Sequence, residues 1–257
     1  MYKVLFVDDD NITRCVCSNM KSWEKFGFMV EYEAENGIKA LEILKANKVD
    51  VVFTDIRMPE MDGIALLKEI RRQKIDVFVV LVSLYKEFEY AREGLKYGAV
   101  DYIMKPIEEK ALDETLSGVR SCLDEFNMNA EYKRIIDEKF NELGPEENDA
   151  FIINLKNILA QNPESNLSMD EFAKYLGFSK DYFGKMVKQK TGVSFNKLLT
   201  SIKMQYSKTL LASGKYKVYE VSDMLGYSEP DYFTRIFKAE FGVSPNEFRK
   251  ALIFNVK

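Results

Sequence analysis

Hydrophobic and polar positions follow two rhythms along this chain, and the rhythm changes once. In the first half, apolar runs of strand length separate segments with helical spacing. Five strands are predicted at Lys3–Val7, Phe28–Ala34, Val49–Thr54, Val77–Val82 and Val100–Met104. Helices are predicted near residues 12–26, 37–46, 63–73 and 86–97, with a fifth starting near Glu108. Such alternation implies a five-stranded parallel, doubly wound α/β sheet with right-handed crossovers. The stretch VDVVFTDIRMPEMDG, residues 49–63, carries the pattern in miniature. Val51, Val52 and Phe53 form an unbroken apolar run, as a strand buried on both faces requires. Asp55 closes it, where open α/β sheets place their ligands. Pro59, Asp62 and Gly63 then punctuate a loop before the helical spacing of Ile64, Leu67 and Ile70.

After the fifth strand the helical rhythm takes over. Leu112, Leu116, Val119, Leu123 and Phe126 recur at alternating spacings of four and three, the rhythm of a helix seam. The pattern weakens at Ala130 and Lys133, resumes at Ile136, Phe140 and Leu143, and Gly144-Pro145 stops the helix. A shorter helix bearing Phe151, Ile152, Leu155, Ile158 and Leu159 precedes the polar segment QNPESN, residues 161–166. Two explanations stay open for the leucines: they cover the sheet of their own chain, or they form the seam of a homodimer. Residues 124–161 are accordingly expected as a helical linker.

The last 92 residues are helical throughout and contain an internal repeat. GFSKDYFGKMVKQKTGVS (177–194) returns as GYSEPDYFTRIFKAEFGVS (226–244), with one extra residue near the second helix start. Each copy reads as helix, Gly-containing turn, helix. Ser168 with Glu171, Ser228 with Asp231, and Ser244 with Glu247 are predicted capping pairs, with Pro245 at a first helical position. Gly192 and Gly242 suit left-handed C-caps. Tyr182, Phe183, Tyr232 and Phe233 are expected in the core, because they recur with the apolar pattern. A helix over about Phe195 to Ala212 would run roughly 27 Å. That length could hold two reading helices near the ~34 Å spacing of successive major grooves.

Charge sharpens this division. Residues 1–125 hold 18 Lys+Arg against 24 Asp+Glu, residues 126–165 hold 4 against 8, and residues 166–257 hold 15 against 9. An acidic front and a basic back point to a polyanion at the back alone. There is no histidine among the 257 residues, which excludes His-based acid–base catalysis and His-ligated metals. Cys15, Cys17 and Cys122 are odd in number and lack metal-ligand spacing, as reduced thiols of a cytoplasmic protein would. No apolar run approaches the ~20 residues of a membrane span, and no secretory pattern opens the sequence.

The strand ends carry the chemistry. Asp8, Asp9 and Asp10 follow the first strand, Asp55 the third, Ser83 the fourth and Lys105 the fifth. Carboxylates gathered at one rim repel one another unless a cation sits among them. Oxygen ligands of this kind suit Mg²⁺. Asp55 can then serve as an aspartyl-phosphate nucleophile, with Lys105 as a point charge and Ser83 as a hydroxyl donor for the phosphoryl oxygens. Simpler roles exist for two of them: Asp55 as a helix cap and Lys105 as a structural counter-ion.

These residues resemble the receiver domain of two-component response regulators over about residues 1–123. The likeness rests on Asp8–Asp9, on Asp55 in TDIRMPEMDG, on Ser83, and on DYIMKP (101–106). It implies a flavodoxin-like fold and makes Asp55 the phosphoacceptor, with a sensor histidine kinase as donor. Asp9, Asp55 and the Arg57 carbonyl would bind Mg²⁺ directly, and Asp8 through water. Ser83 and Tyr102 would form a hydroxyl–aromatic switch, beside Lys105. Leu84 stands where that family usually has a small residue.

The C-terminal part, residues 162–257, resembles the AraC-family double helix-turn-helix domain through its paired repeat and the ending VSPNEFR (243–249). That likeness implies double-stranded DNA as partner. The base-facing positions fall on Asp181, Gly184 and Lys185 in the first unit, and on Pro230, Asp231, Thr234 and Arg235 in the second. Lys180, Lys188 and Lys238 add positive charge on the same helices. The expected function is phosphorylation-dependent transcription regulation. One rival is a regulator that keeps its receiver only for dimerisation. Another is a Mg²⁺-dependent aspartate phosphatase, which usually needs a second Asp where this chain has Arg57.

Overall fold

The computed structural model describes residues 1–84, 88–146, 148–163 and 167–254, and the chain divides into two compact units, 1–126 and 127–257. In the first unit the strands are β1 (Tyr2–Val7), β2 (Phe28–Ala34), β3 (Val51–Asp55), β4 (Phe78–Ser83) and β5 (Asp101–Met104). They form one parallel sheet in the order β2-β1-β3-β4-β5. The helices of this unit are α1 (Asn11–Ser18), α2 (Ser22–Lys25), α3 (Gly37–Ala46), α4 (Gly63–Arg72), α5 (Phe88–Lys96) and the start of α6 (Glu109–Leu143). Side chains alternate across each strand, so the sheet builds two cores. Leu5, Val7, Val52, Val79 and Leu81 pack under α3 and α4. Val4, Phe6, Phe53, Val80 and Val82 pack with Cys17, Trp23, Leu112, Leu116 and Leu123 on the other face. Trp23, only 3% exposed, sits edge-on to Phe53 at 4.9 Å and donates to the Cys17 carbonyl at 2.7 Å.

The helix predicted over 12–26 is broken in two. Asn19 ends α1, its side-chain amide donating back to the Cys15 carbonyl at 2.8 Å, and α2 starts three residues later. The seam of leucines resolves in favour of the chain's own sheet. Leu112, Leu116, Val119 and Leu123 are all buried in the second sheet core, whereas Phe126 is half-exposed and meets Phe78 edge-on at 5.8 Å.

Beyond Phe126 the chain does not behave as a spacer. α6 continues without a break to Leu143, 35 residues or roughly 52 Å in all. Tyr132, Ile136 and Phe140 on α6, with Phe151, Leu155 and Leu159 on α7 (Ala150–Gln161), are buried in the core of the second unit. The segment expected as a linker over 124–161 is therefore, from 127 onward, part of the folded C-terminal unit.

Among the described residues six more helices follow in that unit: α8 (Met169–Tyr175), α9 (Lys180–Thr191), α10 (Phe195–Ala212), α11 (Val218–Met224), α12 (Pro230–Phe241) and α13 (Pro245–Phe254). Gly192 and Gly242 end α9 and α12 at φ 76° and 77°, the left-handed conformation that glycine adopts without strain. Ser168–Glu171 and Ser244–Glu247 make their capping contacts. Ser228–Asp231 does not form a cap: the extra residue of the second copy makes Glu229 the N-cap and puts Pro230 at the first helical position. Among the described residues no helix is long and apolar enough to cross a membrane.

Candidate acidic site and paired reading helices

Strand order places the acidic site. β1 and β3 are neighbours where the winding of the sheet reverses, and Val7 lies opposite Thr54. Asp8 and Asp55 therefore leave the sheet side by side. Asp8 is fully buried, Asp55 is 7% exposed and Asp9 is open to solvent. One carboxylate oxygen from each of the three lies within 4.8 Å of the others. From the end of β5, Lys105 Nζ meets Asp55 Oδ2 at 2.5 Å and Asp8 Oδ2 at 2.6 Å. Burial pushes the Asp8 carboxyl above the usual carboxylate range, against the opposing pull of Lys105. Burial would lower the Lys105 pKa, but the two carboxylates beside it outweigh that and raise it. The lysine is thus held as a cation between two acids.

Local turns fix each carboxylate. Asp10 is the N-cap of α1, accepting from the Ile12 and Thr13 amides at 3.1 Å each and from the Thr13 hydroxyl at 2.6 Å. The Asp10 amide donates to Asp8 Oδ1 at 3.0 Å, and Arg14 Nη1 grips the Asp8 carbonyl at 2.6 Å. The Arg57 amide donates to Asp55 Oδ1 at 3.3 Å. At Gly63 an added Cβ would stand 2.2 Å from the Asp55 carbonyl oxygen, so only glycine lets α4 start this close. The structure brings together Asp8, Asp9 and Asp55, the three acids that the sequence singled out. The capping role of Asp10 and the brace from Arg14 were not separated from the acid run, although Asp is itself a favoured N-cap residue.

The donor set fits a hard divalent cation. Asp8 Oδ2 is buried, and its ion-pair contact with Lys105 is not aligned as a hydrogen bond. The three acids and Lys105 open onto a cleft of about 630 Å³, which Arg57, Ser83 and Leu84 also line. All-oxygen ligands with room for water are what Mg²⁺ requires. Ser83 is buried at the end of β4, with its carbonyl accepting from the Lys105 amide at 2.8 Å. Tyr102 is half-buried on β5 beside Leu81. Leu84 is 62% exposed at the cleft mouth.

In the C-terminal unit the repeat places equivalent residues at equivalent exposures. Asp181 and Asp231, Lys185 and Arg235, and Lys188 and Lys238 are exposed on α9 and α12, with Gly184 and Thr234 half-buried between them. Lys180 and Pro230 are exposed at the helix starts. Lys180 pairs with Asp170 at 3.1 Å, and Lys190 is tied to Asp149, the N-cap of α7, so α9 offers less free charge than its sequence suggests. Tyr182 and Tyr232 correct the expectation of burial. Phe183 and Phe233 are fully buried, but the tyrosines are 50% and 49% exposed. Successive helical residues point about 100° apart, so only one of each pair can face the core. Arg235 lies over the Tyr232 ring at 5.7 Å.

Comparison with known proteins finds a separate family match within each unit. Residues 4–117 match the model of the response regulator receiver domain, and residues 172–251 match that of a helix-turn-helix domain. The transcriptional regulatory protein HptR of Staphylococcus aureus is 28% identical over 252 residues, covering 97% of this chain and 99% of that one. An uncharacterized response regulatory protein of Staphylococcus epidermidis, SERP2406, is 27% identical over 251 residues with the same coverage. Among solved structures, the receiver domain of AraT from Geobacillus stearothermophilus is 35% identical, spans 49% of this chain and 98% of its own, and superposes with a TM-score of 0.46.

Proposed function

The chain is a response regulator, a transcriptional regulator with a receiver domain and an AraC-type helix-turn-helix DNA-binding domain, and from that premise we propose that phosphorylation of Asp55 controls how it occupies DNA. One observation carries this reading: the Asp55 carboxylate ends β3 in an open cleft, between the acids Asp8 and Asp9 and the ammonium of Lys105 at 2.5 Å. The donor is a phosphohistidine on a sensor histidine kinase. An Asp55 oxygen attacks phosphorus, the O–P bond forms as the N–P bond breaks, and the imidazole leaves with a proton taken up at nitrogen. Lys105 then meets a phosphoryl oxygen in place of Oδ2, and the Ser83 hydroxyl donates to another. Asp8, Asp9, Asp55 and the Arg57 carbonyl would hold Mg²⁺, which when bound neutralises charge on the phosphoryl oxygens. Ser83 and Tyr102 would register the new group, and the double helix-turn-helix reads operator DNA in the cytoplasm.

The test combines labelling with binding. A small acyl phosphodonor with Mg²⁺ should add one phosphoryl mass to the full-length protein and shift its affinity for a duplex selected from a random pool. Labelling without any change in affinity or solution mass would instead favour a receiver kept for dimerisation.

A further inference from the structure

The two helix-turn-helix units share one plan, but their turns are braced by different parts of the chain. Phe178 and Tyr227 hold matching places, each just after the turn glycine and just before a reading helix. In the first unit the Phe178 ring lies 6.0 Å from Phe151 of α7 and 5.1 Å from Tyr182. In the second unit the brace comes from α10. Lys203 there is buried, only 8% exposed, and its ammonium donates to the Leu225 carbonyl at 2.8 Å. Leu225 terminates α11, where the last carbonyls have no partner within the helix. The same ammonium stands 5.6 Å from the centre of the Tyr227 ring. Tyr227 in turn meets Tyr232 at 6.1 Å and Phe233 at 5.7 Å, both in the first turn of α12.

Stability alone is a poor reason for this lysine. Burial disfavours its charged form and lowers its pKa, and an apolar side chain of similar length would fill the space without that cost. What methionine could not supply is a directed bond to the Leu225 carbonyl and a cation on the Tyr227 ring. We propose that Lys203 is a positioning residue of the second reading helix, fixing the turn at Leu225–Tyr227 so that Thr234 and Arg235 present to the bases at one set angle. The proposal rests on α12 being a DNA-reading helix.

The probe is a duplex that the full-length protein selects from a random-sequence pool, with the base pairs read by each unit assigned by single-pair substitution. Lys203→Met should keep its fold and its salt dependence on random duplex. Its preference for the selected duplex should fall roughly tenfold, with the loss confined to base pairs that respond to Arg235→Ala. Lys203→Arg, which keeps both donor and charge, should restore most of the preference. Tyr227→Leu removes the ring and leaves the lysine, and should lose preference at the same base pairs; it decides the matter if Lys203→Met does not fold. Unchanged preference, or equal weakening on selected and random duplexes, overturns the positioning role. If Arg235→Ala alters its base pairs while Lys203→Met and Tyr227→Leu do not, only the positioning role falls. If Arg235→Ala alters none, the reading of α12 falls and takes the proposal with it.

Discussion

An amide in place of the Asp55 carboxylate keeps nearly the same shape but removes the nucleophilic oxygen and the charge that Lys105 meets at 2.5 Å. Asp55→Asn should therefore fold and take no phosphoryl group from an acyl phosphodonor, as intact-mass measurement would show; undiminished labelling would place the acceptor elsewhere. If Asp9 holds Mg²⁺ as proposed, Asp9→Asn should label more slowly and demand more Mg²⁺, because one exposed carboxylate is lost without a change in the buried pair. Thiol chemistry offers a second check. Burial raises the Cys17 thiol to about 11, so at pH 8 it stays protonated, whereas Cys15 and Cys122 are exposed. Alkylation at pH 8 should modify two cysteines quickly and the third only on unfolding; three fast thiols would contradict the packing under β1. The acid run shows how far residue types carry. The three neighbours Asp8, Asp9 and Asp10 look alike in sequence, yet one is buried, one is solvent-facing and one caps a helix. Those differences come from the turn, which side-chain type does not encode.

Elements were legible where their period was unambiguous. All five strands and the helices over 37–46 and 195–212 follow the apolar rhythm directly, because sheet and core impose one period on each. What the rhythm could not decide was the partner of a stripe. Leucines at 112, 116 and 123 have the spacing of a dimer seam, and the sheet beneath them satisfies it instead. Leu123→Glu should accordingly unfold the receiver half, by roughly 3 kcal/mol or more for an uncompensated buried charge, and not merely split a dimer. Urea titration separates the two outcomes. On the reading helices, Lys185→Ala and Arg235→Ala should each cost about 1–3 kcal/mol at the preferred site and relax its sequence preference. Lys188→Ala, near the end of α9, should weaken all duplexes alike and reduce the salt slope by about one unit. Equal losses on specific and random DNA from Lys185→Ala and Arg235→Ala would move base readout to other side chains or to DNA shape.

For the whole molecule, the domain boundary matters more than any single contact. A fragment beginning at 162, where the helix-turn-helix likeness begins, would lack Tyr132, Ile136, Phe140, Phe151, Leu155 and Leu159 from its core. At about 1.5–3 kcal/mol per buried side chain these six contribute about 9–18 kcal/mol, as much as the whole stability of a domain. A fragment from 127 should melt cooperatively and bind DNA, and one from 162 should be largely unfolded or aggregated by circular dichroism and light scattering. Similar melting of the two fragments would show α6 and α7 to be dispensable. The sequence could not reveal this dependence, since a helix pattern names no neighbour. Trp23 provides a way to watch the two halves separately. It is the chain's one tryptophan, held edge-on 4.9 Å from Phe53, two residues before Asp55. Indole emission thus reports on the N-terminal half alone, while far-ultraviolet dichroism is weighted toward the helical C-terminal half. Heating one unlabelled sample under both signals would assign each transition to its half, and titrating phosphodonor into it would show optically which half responds first.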